Sequence, residues 1–201
     1  MKKQGGFTLI SLLVGLLISS FLLIGMMMVY RNTIQVVVPA SESSRSDGER
    51  VSALLSTNMM LQAAGFGIEN SSYGSHLRIF KSSAFVPLAT SEGSVASGDT
   101  VLWLSKDFNG TQCRGLSADG EGGLWQVSCD LDMQNIKLTS RLILPSQYGA
   151  EQATPITIIA KRVTCYPFST DISGRLKLVL VFHNSVARQI ESSTCLLNFV
   201  S

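Results

Sequence analysis

The stretch from Phe7 to Tyr30, FTLISLLVGLLISSFLLIGMMMVY, decides the fold of this 201-residue chain, because its 24 residues include no charged side chain. At about 1.5 Å per residue, a helix of that length spans the roughly 30 Å hydrocarbon core of a bilayer with some tilt. Lys2 and Lys3 precede the stretch, so the positive-inside rule places the N-terminus in the cytoplasm and the rest of the chain outside. The sequence therefore predicts one membrane-spanning helix.

The length of this apolar run argues against an ordinary secretory signal peptide. Such a signal has a shorter apolar core that ends in a small-residue cleavage site. The run here ends in MMMVY, residues 26–30, which contains no such site. A plain signal anchor remains open from these features alone.

Residues 2–19, KKQGGFTLISLLVGLLIS, resemble the N-terminus of a type IV pilin-like prepilin. The shared features are a short basic leader, a glycine before the cleavage point, a phenylalanine after it and a long apolar helix. The resemblance implies that a prepilin peptidase cleaves between Gly6 and Phe7 on the cytoplasmic face and N-methylates Phe7. A glycine at this position lets the backbone lie close to a catalytic site, because it has no side chain.

Ser11 departs from the pattern of most pilins, which carry a glutamate there that is thought to pair with the N-terminal amine of a neighbouring subunit. Ser11 cannot form that ion pair. A subunit at the filament tip has no preceding amine to neutralise, and tip pseudopilins also lack the glutamate. In addition, Ser11, Gly15 and Ser19 recur every four residues, a small-xxx-small face that permits close helix packing. The departure favours a minor subunit, at or near the tip, over a repeating major one.

Residues 31–67 are predicted to continue the helix and to pack it on a globular domain, ending near Gly65 and Gly67. Pro39 predicts a kink or a break on the way, since it lacks the amide hydrogen that a helix needs. We expect Met59 and Met60 to fill core space. An apolar stripe at helical spacing marks the expected packing face: Val51, Leu54, Leu55, Met59 and Ala63.

Six later stretches are rich in β-branched and aromatic residues and are predicted to be strands: 100–104, 124–129, 135–144, 155–165, 175–183 and 195–200. Alternation in two of them predicts which side chains share a face: Ile136, Leu138, Leu142 and Leu144 in one, and Leu176, Leu178, Leu180 and Phe182 in the other. Strands joined by short loops after one long helix predict an α+β fold, pilin-like, with the helix packed on an antiparallel sheet. The expected segments are a leader at 1–6, a transmembrane or filament-core helix at 7–30, the packing helix at 31–67 and a periplasmic β-rich head at 68–201.

Two short phrases refine the resemblance within this superfamily. A helix that ends in MLQAAGFG (60–67), followed by a strand in GDTVLWL (98–104), resembles the PilW family of minor pilins. The J-class pseudopilins of type II secretion are a more distant likeness. The resemblance covers mainly the first 30 residues, and beyond them it depends on element order and on these phrases.

Four cysteines, Cys113, Cys129, Cys165 and Cys195, include no CxxC pair. An even number beyond a membrane segment favours two disulfides in an oxidising compartment. Three connectivities are possible, and we favour Cys113–Cys129 and Cys165–Cys195 because these pairs close the shorter loops. Buried free thiols are the alternative.

The charge balance argues against general nucleic-acid binding, which needs many cationic contacts. The formal charge is +2, from 16 basic and 14 acidic residues. Two of the basic residues are Lys2 and Lys3, so a chain cleaved after Gly6 has 14 of each and is neutral. Nucleic acid is therefore not an expected partner.

No nucleophile elbow, Walker A loop, HExxH or dinucleotide fingerprint occurs in the sequence. We therefore predict no catalytic site, no metal site and no cofactor. His76 and His183 are expected at strand ends as surface or capped residues. Asp130, Asp132 and Asn135 lie in one loop and carry the oxygen atoms that calcium binds. The loop lacks the central glycine and distal glutamate of an EF-hand, so a solvated turn is favoured over a calcium site.

Two other features leave room for a surface role. Trp103 and Trp125 are expected in the core or on a sheet face, and only if both were exposed would they indicate a ligand or adhesive patch. Asn70-Ser71-Ser72 and Asn109-Gly110-Thr111 match the glycosylation sequon, a pattern that is frequent by chance.

The prediction for function is a minor pilin of a type IV pilus, processed by prepilin peptidase and placed at or near the tip to prime or support assembly. It is not expected to be an enzyme. The partners that the resemblance implies are the major pilin, other minor pilins, the peptidase and the inner-membrane assembly platform. The chain would lie in the inner membrane first and in the extracellular pilus later. The alternatives are a tip-exposed adhesin or DNA-uptake module, a J-class pseudopilin and a single-pass periplasmic enzyme.

Overall fold

A computed structural model describes residues 9–144, 155–165, 176–183 and 189–199. A long N-terminal apolar helix is followed by antiparallel β-sheets, so the predicted α+β, pilin-like architecture is confirmed. The chain divides into two compact units, Met1–Arg45 and Ser46–Ser201. The elements are α1 Leu9–Gln62, β1 Leu77–Lys81, β2 Ala84–Val86, β3 Val95–Gly98, β4 Thr100–Asp107, β5 Gly110–Ala118, β6 Leu124–Cys129, β7 Lys137–Ile143, β8 Thr157–Arg162, β9 Leu176–His183 and β10 Gln189–Leu196.

Helix α1 is continuous through Pro39, so a break, one of the two outcomes expected at this proline, does not occur. Proline removes one intrahelical hydrogen bond and costs about 3 kcal/mol in a helix interior. Helix formation is cooperative, and 54 residues of helix supply intact turns on both sides of Pro39.

The face of α1 that packs on the sheets differs from the predicted stripe. Val51, Leu55 and Met59 are 63%, 63% and 67% exposed, and Ala63 is exposed as well, so of that stripe only Leu54 is buried. The buried positions of the helix are instead Arg50, Ala53, Leu54, Thr57 and Leu61, followed by Ala64 just after its end.

Small side chains explain why the apolar pattern predicted the wrong face. Alanine at 53, and at 64 just after the helix, lets the backbone approach the sheets closely. Thr57 is fully buried, and its hydroxyl donates to the carbonyl oxygen of Ala53 at 2.8 Å, so the helix satisfies its polar atom. A pattern that counts large apolar residues gives little weight to such positions. Met59 is therefore not core filler, whereas Met60 is half-buried against the core.

The strands form two antiparallel sheets where the sequence predicted one. One sheet has the order β2-β1-β4-β5-β6-β7, and the other has the order β10-β9-β8-β3. The main core contains side chains from both sheets and from the last turns of α1. The other face of the six-stranded sheet carries a smaller cluster that includes Leu102, Val127 and Met133.

Five of the six predicted strands coincide with β4, β6, β7, β8 and β9, and the last one overlaps only the end of β10. The strand β10 occupies Gln189–Leu196, so only Cys195 and Leu196 of the predicted stretch lie in it. Residues 197–198 form a turn, Phe199 forms an isolated β-bridge, and residue 200 lies outside the described part. Strands β1, β2, β3 and β5 were not predicted. Strand β5 has the sequence GTQCRGLSA and β10 has the sequence QIESSTCL. Both contain many polar residues, and fully buried positions occur along only part of each strand, so neither shows the apolar–polar alternation by which strands are recognised.

The predicted faces are right for β9 and wrong for β7. Leu176, Leu178, Leu180 and Phe182 are all buried in the main core. In β7, Leu138 is 61% exposed while Ile143 is buried. Two register irregularities between β6 and β7 shift the side chains that face inward, because each irregularity changes the alternation of the strand.

Two asparagines connect the end of α1 to the last part of the chain. Asn198 donates from Nδ2 to the carbonyl oxygens of Gln62 and Ala64, at 3.3 and 2.8 Å. These bonds satisfy carbonyl groups that the helix end leaves without partners. Asn58 bonds to the hydroxyls of two β10 residues, Ser192 and Thr194.

Both disulfides have the connectivity that the sequence favours. Cys113 and Cys129 lie directly opposite each other on β5 and β6. Cys165 and Cys195 join the segment after β8 to β10, across 30 residues of chain. None of the four cysteines is free.

The turn between β1 and β2 yields a stability prediction. Ser83 has φ of 70°, a left-handed conformation that costs an L-residue about 1–2 kcal/mol and glycine little. Ser83→Gly removes this cost from the folded state, but glycine also gives the unfolded chain more conformational entropy, which opposes folding. The net expectation is a rise of about 0.5 kcal/mol in the free energy of unfolding. Urea unfolding of the purified chain measures this change. The matched control Ser75→Gly changes an exposed serine without a positive φ and should be destabilising, so equal effects at the two sites would contradict the explanation.

Candidate functional site

The first part of α1 is apolar on its whole circumference. Every large apolar side chain from Leu9 to Tyr30 is more than half exposed. A helix that is hydrophobic all round is stable only inside a protein or a membrane. The segment Leu9–Ser41, with a mean hydropathy of 2.6, is long and apolar enough to cross a membrane, as judged by length and composition.

The hydroxyl groups in this segment are bonded within the helix. Ser19 Oγ donates to the carbonyl oxygen of Gly15 at 2.9 Å, and Ser20 Oγ donates to that of Leu16 at 2.6 Å. Thr33 Oγ1 donates to the carbonyl oxygen of Val29 at 2.8 Å. These donors need no water or partner chain, so the hydroxyls add little cost to burial in lipid or among other helices.

Ser11, Gly15 and Ser19 lie on exposed positions of the helix at four-residue intervals, as the sequence predicted. A Cβ added to Gly15 would meet no atom within 4 Å, so packing among the described residues does not require a glycine there. Glycine in a helix interior costs about 1 kcal/mol relative to alanine. The small face is therefore available for an approaching helix, and its packing role remains a prediction.

The residues of the predicted processing site, Gly6 and Phe7, lie outside the described residues, as does the rest of the leader. Their roles in cleavage and N-methylation therefore stay predictions that depend on the sequence.

In the β-sheet unit, the residues that sequence analysis considered for chemistry have structural contacts. His76 Nδ1 accepts a hydrogen bond from the backbone amide of Ser72 at 3.3 Å. Trp103 is buried in the main core, and the half-buried Trp125 lies under the guanidinium of Arg141, 4.7 Å from the ring centroid. His183 ends β9.

The acidic loop after β6 is likewise internally bonded. Asn135 Nδ2 donates to the carboxylate of Asp130, and the amide of Met133 donates to the Asp130 carbonyl oxygen. Met133 is buried under this turn. The part of the chain that the structure describes contains no group of three His, Cys, Asp or Glu residues placed to hold a metal ion.

Residues 1–27 match the family model of the prokaryotic N-terminal methylation motif. The chain therefore carries a type IV prepilin-like signal, followed by a helix of the kind that such signals precede. The motif supports a pilin-like or pseudopilin-like protein, suggests a structural rather than enzymatic role, and implies association with pilus assembly machinery and other pilins. It also fits anchoring in a membrane before entry into a pilus.

The match covers 27 of the 201 residues, so it describes the N-terminal signal and not the β-sheet unit. Nothing in it points to the PilW family in particular. No curated protein and no solved structure matches the chain.

Proposed function

We propose that this protein is a minor pilin of a type IV pilus, cleaved between Gly6 and Phe7, N-methylated at Phe7 and incorporated at or near the filament tip. The observation that carries the proposal is an uncharged helix with its apolar side chains exposed all round, directly after a prepilin-like signal. The specific partners are the major pilin, other minor pilins, prepilin peptidase and the inner-membrane assembly platform. Before assembly, the head lies in the periplasm.

Assembly proceeds through helix packing. After cleavage, the apolar helix leaves the bilayer and enters the helical bundle at the core of the filament. Lipid and protein interior are similarly apolar, so close van der Waals packing, and not the hydrophobic effect, supplies the preference for the bundle. Small residues at Ser11, Gly15 and Ser19 let a neighbouring helix approach closely.

Ser11 supports the position at the tip. A carboxylate at this depth is costly unless a cation neutralises it, and the first subunit of a filament has no preceding amine to do so. A neutral Ser11 removes that cost. Ser11→Glu is therefore expected to impair tip incorporation, measured by immunogold labelling of filament ends. Unchanged labelling of the ends would count against the tip position.

Deletion of the gene tests the assembly role directly. We expect surface filaments to be lost and to return with the wild-type gene, as seen by electron microscopy and by the amount of major pilin in the sheared fraction. Intact filaments with lost adhesion or DNA uptake would instead identify a binding subunit, and a secretion defect with intact pili would identify a pseudopilin.

Gly15→Leu separates helix packing from membrane insertion. The space around Gly15 is open, so we expect the variant to accumulate in the inner membrane like the wild type. A leucine at this point would hold a neighbouring helix away, so its amount in sheared pili should fall by about tenfold or more, as one lost close contact of about 1.4 kcal/mol implies. Immunoblots of the two fractions measure this ratio.

Gly25→Leu is the matched control for this experiment. Gly25 also lies in the apolar helix with open space around it, but it is outside the four-residue series. An equal loss from pili in both variants would contradict a specific packing role for Gly15.

A further inference from the structure

Two sequons occur in the β-sheet unit, at Asn70 and Asn109, and the structure presents them very differently. N-linked glycosylation needs an accessible asparagine carboxamide and a Ser or Thr hydroxyl two residues later. We propose that Asn109 is an acceptor for N-linked glycosylation and that Asn70 is not.

Asn109 lies at the tip of the hairpin between β4 and β5, next to Phe108. Asp107 and Gly110 form the last pair of the two strands, so Phe108 and Asn109 are the two residues of the turn. Asn109 is exposed, and Phe108 is completely exposed at 107%. Few buried contacts restrain this tip, so local opening to enter an enzyme costs little free energy.

The side-chain groups of this sequon that would bind or react in the enzyme are not hydrogen-bonded within the described part of the chain. In the part of the chain that the structure describes, neither the carboxamide of Asn109 nor the hydroxyl of Thr111 makes a hydrogen bond, and both residues are exposed. Only the backbone amide of Asn109 is engaged, donating to Asp107 Oδ1 at 2.8 Å. The two side chains that an enzyme must bind are therefore available without breaking a contact.

Asp107 holds the turn that presents this asparagine. Its exposed carboxylate lies two residues before Asn109 and accepts hydrogen bonds from the Asn109 backbone amide at 2.8 Å and from Gln112 Nε2 at 2.9 Å. The other sequon has Ile68 at the corresponding position, which offers no carboxylate to its turn.

The segment that contains Asn70 is held by the fold. Ser71, the middle residue of this sequon, is fully buried, and its hydroxyl donates to the carbonyl oxygens of Gly65 and Ile68, each at 3.1 Å. It also forms a β-bridge with Phe199. The backbone amide of the next residue, Ser72, donates to His76 Nδ1, and the backbone carbonyl oxygen of Ser72 accepts from the His76 amide. Lifting this segment into an enzyme would break all of these contacts.

The modification is a substitution at a sugar carbon. The Asn109 carboxamide nitrogen attacks C1 of the first sugar of a polyprenyl-pyrophosphate-linked oligosaccharide. A carbon–nitrogen bond forms, the bond from C1 to the pyrophosphate oxygen breaks, and polyprenyl pyrophosphate leaves with the bonding electrons. The enzyme accepts the proton that the amide nitrogen loses, and no oxidant or reductant is needed.

The test uses the purified full-length chain in detergent micelles. It is incubated with a bacterial oligosaccharyltransferase and undecaprenyl-pyrophosphate-linked oligosaccharide, then analysed by intact mass and peptide mapping. We expect one glycan, on the peptide that contains Asn109. Asn109→Gln should abolish the mass increase, and Asn70→Gln should leave it unchanged.

Two outcomes would overturn the proposal: a folded chain that stays unmodified while a peptide of residues 105–113 is glycosylated, or a folded chain modified at Asn70. Modification in living cells rests additionally on the proposed periplasmic head. A chain that is glycosylated in micelles but not in cells that carry the enzyme in the periplasm would support the site and contradict the proposed location.

Discussion

Gly6→Val is expected to leave the full-length precursor in the inner membrane and to abolish surface filaments that depend on this subunit. A side chain on the residue before the scissile bond would hold the backbone away from the peptidase, since only glycine has no Cβ. The intact mass of the membrane-bound protein measures cleavage, because the proposed processing would remove residues 1–6 and add one methyl group to Phe7. We expect no processed species in the variant.

Gly5→Val is the control, because it makes the same change one residue earlier in the leader MKKQGG. We expect it to be cleaved and methylated. Normal trimming of Gly6→Val would contradict the prepilin interpretation of residues 1–27 and would favour a plain signal anchor. Failure of both variants would show that the leader as a whole, and not the residue at the bond, decides recognition.

Gly98→Ala is expected to lower the free energy of unfolding of the β-sheet unit by about 3 kcal/mol. A Cβ on Gly98 would lie 2.1 Å from the carbonyl oxygen of Phe80 and 2.6 Å from Cγ2 of Ile79. The same carbonyl oxygen accepts the amide of Asp99 at 2.9 Å, so it cannot move away without losing this bond. Here β3 of one sheet approaches β1 of the other, and a methyl group would force them apart.

Urea unfolding of the full chain in mild detergent measures this effect, with the fluorescence of the buried Trp103 as a signal. Gly120→Ala is the matched control, because a Cβ there meets no atom within 4 Å and φ is not positive. We expect its effect to stay within about 0.5 kcal/mol. Similar losses for the two variants would show that glycine content, and not the close approach of the sheets, is responsible.

The candidate site was the part of this protein most accessible to sequence reasoning. Membrane insertion depends on consecutive apolar residues, and peptidase recognition depends on a few residues that are adjacent in the chain. Both can therefore be predicted from the amino-acid sequence. The match of residues 1–27 to the methylation motif agrees with the prepilin-like interpretation that Gly6, Phe7 and the apolar run suggested. The tip position argued from Ser11 depends on neighbouring subunits and stays a proposal.

The packing of the β-sheet unit was less predictable, as α1 illustrates. The stripe of Val51, Leu55 and Met59 has the periodicity of a core face, yet these residues are exposed and Thr57 is buried. Periodicity identifies an amphipathic helix but does not reveal how close its partner comes. The small side chain of Ala53 allows a close approach, and the Thr57 hydroxyl, bonded inside the helix, can be buried there, so these residues face the sheets.

The sequence by itself therefore determined the uncharged helix, its prepilin-like signal, the α+β class and the favoured cysteine pairing, because each depends on neighbouring residues or on short separations along the chain. Only the tertiary structure decided that the strands form two sheets, that Leu54 is buried and Leu55 exposed, and that Asn109 is accessible while Ser71 is buried in the other sequon. These outcomes depend on strand register and on contacts between residues far apart in sequence, such as the bridge between Ser71 and Phe199. Local pattern carries no information about which distant partner a residue will meet.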